Sequence, residues 1–68
     1  MNNKKISIYD CSKIVIENYI NILEINSNKI IIDNYIILGV NLKIVKIDEY
    51  YIIISGHIEK ILMDSDRL

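Results

Sequence analysis

The sequence contains no proline, phenylalanine, tryptophan, alanine, threonine or glutamine, two glycines, and one residue each of cysteine and histidine. Each shortage excludes something. A lone cysteine, Cys11, permits neither an intramolecular disulfide nor a thiolate metal cluster. Without alanine the chain lacks the residue that most favours helix. Concentrated positive charge is missing too: eight Lys and Arg stand singly or in pairs among nine Asp and Glu, for a net charge of −1. That scatter argues against a surface that tracks nucleic-acid phosphates. Long apolar runs are also absent. The uncharged stretches "NYIILGVNL" and "YYIIISGHI" are nine residues each, well short of the ~18 needed to span a bilayer. The basic start "MNNKK" leads into a segment broken by Asp10 and Lys13 without a small-residue cleavage site. A cytosolic protein is therefore expected rather than a secreted one.

What the chain has is isoleucine, nineteen of 68 residues, with eight asparagines and five tyrosines. Isoleucine is stiff at its branched β-carbon and suits a pleated surface. Alternation of apolar and polar residues runs through "ISIY" from Ile6, "KIVIEN" from Ile14, "KIIID" from Ile30, "NLKI" from Leu42 and "YIII" from Ile52. Helical spacing in Ile16, Ile20 and Leu23, or in Ile58, Ile61 and Leu62, competes with this reading. Those windows are short, poorly capped and β-branched. Reversals are expected near Tyr19 to Asn21, Asn26 to Lys29, Asp33 to Tyr35 and Asp48 to Tyr50, with Asn21 taking the left-handed conformation of a tight turn. No helical crossover separates the strands, so they are antiparallel neighbours. The expected architecture is a single domain over residues 1–68, all-β, a small antiparallel β-sandwich of about seven or eight short strands. A small β-barrel or short β-roll is the alternative.

Strict alternation fails twice, where two residues separate Ile44 from Ile47 and Ile58 from Ile61. Local kinks are expected at Val45-Lys46 and Glu59-Lys60. Gly39 and Gly56 suit a bend or the close approach of another backbone. Counting from an inward Ile58 puts His57 on the polar face, beside Glu59. No catalytic, cofactor or metal site is expected there, nor at Cys11, which has no histidine near it in sequence. Tyr35, Tyr50 and Tyr51 could form a stacking platform for nucleic acid, but read more simply as caps on the core. The triads Ile30 to Ile32 and Ile52 to Ile54 are apolar on both faces of a strand. Their middle residues, Ile31 and Ile53, are therefore candidate interface positions, and a homo-oligomer, most simply a dimer, is expected.

The ordered set Ile16, Glu17, Asn18, Ile22, then Gly39, Asn41, Leu42, Ile44, Ile47, then Ile54, Gly56, Ile58, Ile61 resembles the YabP/YqfC family of small sporulation proteins, over about Ile6 to Met63. Tyr19 and Asn21 stand where the family usually has histidine and glycine, and Asp10 and Asp33 where glycines are often found. The resemblance implies an immunoglobulin-like or related β-sandwich without catalytic activity or cofactor. It further implies a sporulation role through protein partners, in the mother-cell cytoplasm or at the spore surface. The alternative from another class is a small β-barrel binding nucleic acid or a small ligand.

Overall fold

The computed structural model describes residues 5–64. Within them the chain forms six strands: β1 Lys5–Tyr9, β2 Lys13–Glu17, β3 Ile22–Ile25, β4 Lys29–Ile32, β5 Tyr35–Ile47 and β6 Tyr51–Met63. All pair antiparallel in one sheet of order β1-β2-β6-β5-β4-β3. The all-β antiparallel expectation holds. The segments open to a helical reading, around Ile20 and Ile58, are loop and strand.

Two expectations are corrected. The described residues make six strands rather than seven or eight, because β5 and β6 bend without ending and resume their pairing beyond each irregularity. Nor do the strands divide between two hydrogen-bonded sheets. The sheet does not close into a barrel either, since β1 and β3 each have one neighbour and do not pair with each other.

The two long strands belong to two wings. Residues 51–55 of β6 pair with β2, which carries β1, and residues 35–38 of β5 pair with β4, which carries β3. Ile14 and Ile16 of β2 lie in one buried cluster with Ile30 and Ile32 of β4, Ile37 of β5, and Ile52, Ile54 and Ile58 of β6. No helix or second sheet among the described residues covers that apolar face. The sheet covers it by folding one wing toward the other.

The fold line is where the β5–β6 register shifts. Leu38 opposes Lys60 and Gly39 opposes Ile58, so Glu59 is an extra residue; Val40 opposes His57 and Lys43 opposes Ser55, so Asn41 and Leu42 face only Gly56; Ile44 opposes Ile54 and Lys46 opposes Ile53, leaving Val45 extra. The kinks expected at Val45-Lys46 and Glu59-Lys60 fall on the outer two of these shifts. Extra residues bend a strand and raise its twist, and three close together turn the hairpin back on itself. Gly56 has φ +130°, where a side chain is strained, and a β-carbon there would overlap the Asn41 carbonyl oxygen and lie 2.9 Å from the Leu42 Cα. A β-carbon on Gly39 would overlap the His57 carbonyl oxygen.

Bending removes ladder partners, and two hairpin turns replace them. Gly39 N–H donates to the Asn28 carbonyl (3.1 Å) and Leu42 N–H to the Ser27 carbonyl (2.8 Å), both from the β3–β4 turn. Ile58 N–H donates to the Cys11 carbonyl (2.8 Å) in the β1–β2 turn. Backbone donors that would otherwise be buried without acceptors are thus satisfied.

Candidate functional site

The turns hold conventional polar chemistry. Asp10, left-handed at φ 50°, accepts from Ser12 N–H (2.8 Å) and Ser12 Oγ–H (2.6 Å) through Oδ1. The side-chain and then the backbone bond hold its carboxyl below the usual carboxylate range. Asp33, also left-handed at φ 54°, accepts from the N–H groups of Ile20 (3.0 Å) and Asn21 (2.8 Å), tying the β2–β3 loop to the β4–β5 turn. The left-handed residue of that loop is Asn18, at φ 60°, and not Asn21, whose backbone bonds instead to Asp33 in both directions. Asn18 lies where the chain leaves β2 and must swing from one wing to the other.

Residues singled out for chemistry stand apart. His57 is exposed on β6, opposite Val40, and Cys11 is an exposed free thiol in a turn. Among the described residues no group of three or more His, Cys, Asp or Glu side chains could hold a metal ion. Tyr35 is buried, Tyr50 is exposed and Tyr51 is half-buried, so these three form no common stacking surface. Tyr19 donates from its hydroxyl to the Asp48 carbonyl (2.8 Å), pinning the end of β2 to the β5–β6 hairpin.

The two candidate interface residues fare differently. Ile31 is 4% exposed. It lies between Glu24 of β3 and Ile36 of β5, and Glu24 is held there by Lys29 (3.8 Å) and by a hydrogen bond from Asn26 (2.9 Å). Its place in an interface is corrected: the chain itself already covers it. Ile53 is half-buried between Val15 and Lys46.

Around Ile53 the register assembles a surface that is dispersed in the sequence. Partners directly opposite share a face, and alternate residues of a strand return to it. On the outer face of the β1–β2 wing one row runs Lys5, Glu17, Tyr51; the next Ser7, Val15, Ile53, Lys46; the third Tyr9, Lys13, Ser55, Lys43. Four of the described lysines therefore share one face with two tyrosines. Lys13 Nζ sits 5.4 Å from the Tyr9 ring centroid and Lys46 Nζ 5.6 Å from that of Tyr51. Hydrogen bonding to Tyr51 pushes the Lys46 ammonium above the ordinary lysine range. Sequence reading missed this face. The available signal was that Lys5, Lys13 and Lys43 each adjoin an inward aliphatic, which fixes their side of the strand; Lys46, between the exposed Val45 and Ile47, carried none. Pairing of distant strands is what places them together.

Half-exposed apolar side chains occur on both edge strands and also on the long strands, at Val40, Val45, Ile47, Leu62 and Met63. Ile8 on β1 is 58% exposed, and Leu23 and Ile25 on β3 are each 51% exposed, with Ile20 just before β3 also exposed. No helix among the described residues is long and apolar enough to cross a membrane.

Compared with known proteins, the chain matches no family model, no curated protein and no solved structure.

Proposed function

We infer that the chain is a non-enzymatic interaction or assembly protein of the sporulation programme, acting in the mother cell or at the developing spore surface. The observation that carries the assembly reading is the pair of open sheet edges bearing half-exposed aliphatic side chains, Ile8 on β1 and Leu23 and Ile25 on β3. An edge strand offers unpaired backbone donors and acceptors, and charge or proline normally blunts it. The β3 edge has no proline, and its one charge, Glu24 between Leu23 and Ile25, is paired with Lys29 of the same hairpin. A homo-oligomer formed by edge pairing, most simply a two-fold dimer through β3, brings Leu23 and Ile25 against their copies and leaves the β1 edge with Ile8 open.

The sporulation reading rests on the resemblance to the YabP/YqfC family. Asp10 and Asp33, which stand where that family often has glycine, both have left-handed backbone, the conformation glycine adopts most readily. The folded sheet is compatible with the family's expected sandwich, since its wings present two layers to one core.

Sedimentation velocity at high micromolar concentration tests assembly: a dimer is expected, and Leu23→Lys with Ile25→Lys should release a folded monomer. A wild-type chain that stays monomeric removes the self-assembly reading. For sporulation, expression confined to sporulating cells and fewer heat-resistant spores on deletion are expected. Expression in vegetative growth with an unchanged spore count overturns it.

A further inference from the structure

We propose that the outer face of the β1–β2 wing is a docking surface for an anionic lipid bilayer. Lys5, Lys13, Lys43 and Lys46 stand around a centre of Val15 beside Ile53, and two carboxylates adjoin them, Glu17 in the first row and Asp48 where that row meets the β5–β6 hairpin. The chain as a whole has a net charge of −1, so this concentration of positive charge orients the molecule with the face toward an anion and the remaining negative charge away.

Shape and chemistry choose the occupant. Rows lie about 7 Å apart along the strands and strands about 4.8 Å apart, giving a sheet surface of pleated side chains onto which a plane of headgroups can be laid. Single-stranded nucleic acid binds by stacking bases on free aromatic faces. Here Tyr9 and Tyr51 each have a lysine amine over the ring, at 5.4 Å and 5.6 Å, and a base must displace it to stack. Lysine beside tyrosine around an aliphatic centre suits the bilayer interface, where amines meet lipid phosphates, phenols sit at headgroup depth and a small apolar patch reaches the acyl boundary. Binding of this kind is peripheral and salt-sensitive. It stands independently of the sporulation reading.

The test uses the purified full chain and vesicles of neutral phosphatidylcholine, or of phosphatidylcholine with about a third phosphatidylserine. Co-sedimentation is expected with the anionic vesicles alone, and should be lost near 0.5 M salt, where the screening length falls to about 4 Å. Each lysine removed should weaken binding about five-fold. Lys13→Gln with Lys43→Gln should then cost about 25-fold, while Lys29→Gln with Lys60→Gln, the same change in net charge on the other wing, should stay within about two-fold. Lys43→Gln alone, about five-fold weaker, keeps the test intact if the double variant melts below wild type. Absence of binding to anionic vesicles, or equal losses from the two pairs, overturns the proposal. Tighter binding at the same salt to a single-stranded oligonucleotide or to polyglutamate overturns the lipid assignment and gives the face to that class of partner.

Discussion

The triads Ile30–Ile32 and Ile52–Ile54 are the same three letters in two central strands, and their outer residues are alike, since Ile30, Ile32, Ile52 and Ile54 have no exposed surface. The middle residues part company. Ile31 is buried under an ion-paired Glu24 and Ile36, whereas Ile53 is half-buried, with Val15 a smaller neighbour and Lys46 drawn toward Tyr51. Alternation along a strand decides which side a residue faces. What covers that side depends on the neighbouring strands, which are adjacent hairpin strands for Ile31 and include the distant β2 for Ile53. One wing thus covers its central isoleucine with its own side chains, although Leu62 in the same row stays exposed, and the other leaves Ile53 half-buried among lysines.

The comparison presumes that the wings stay folded together, so the largest effects belong to the bend. Gly56→Val must place a β-carbon against the Asn41 carbonyl at φ +130°, and should cost about 3 kcal/mol or more, or unfold the chain. Gly39→Val, which meets the His57 carbonyl, should behave alike. Thermal melting checks both; a Gly56→Val chain that melts with wild type would show that the fold line does not need that backbone geometry.

Next come the outer residues of the triads. Ile32→Ala and Ile54→Ala remove fully buried side chains on either side of one core, and each should cost about 2–4 kcal/mol in urea denaturation. Near-equal losses are expected because the cluster is shared. A large loss at one and little at the other would mean that the wings have separate cores.

The middle residues then separate the wings. Ile31→Lys puts an amine into a covered site and should cost about 2 kcal/mol or more, whereas Ile53→Lys has solvent within reach and should cost under about 1 kcal/mol. Equal denaturant midpoints for the two variants would erase the difference between the two faces.

These outcomes also mark where sequence reading reaches its limit. The reversals near Asn21, Asn26, Asp33 and Asp48 were legible because Asn, Asp and Ser offer local hydrogen bonds that compete with a ladder, and each of these residues lies in a break between strands. The extra residues at Val45 and Glu59 were legible as lapses of a period of two. Strand number was not, because the chain around Gly56 reads as a break while the ladder continues on both sides of it. The left-handed Asn18 was missed because an asparagine three residues later has the same local preference. The gathering of four lysines around Ile53 was out of reach because β2 pairs with β6 from far along the chain. Burial of Ile31 was out of reach for another reason: its hairpin neighbours Glu24 and Ile36 are close in sequence, but alternation alone does not say how fully they cover it.

The smallest expected effect concerns Asp10, at the turn that closes the open wing. Its carboxylate is fully exposed, and its lowered pKa comes from the Ser12 hydroxyl and backbone N–H bonds. A carboxyl whose folded pKa lies below its unfolded value binds fewer protons in the folded state. Stability from it is therefore present above the unfolded value, about 3.9, and is lost as pH falls through the lower folded value. Asp10→Asn retains an acceptor for Ser12 and a residue type that tolerates φ 50°, so it should leave stability near pH 7 almost unchanged. It should flatten the acid limb of a plot of urea midpoint against pH, below about pH 4, by a small amount consistent with solvent screening. An acid limb identical to wild type would mean that the Ser12 bonds do not persist in solution. In that case the turn is held by the β1–β2 ladder and the Cys11 carbonyl bond to Ile58, with no contribution from Asp10.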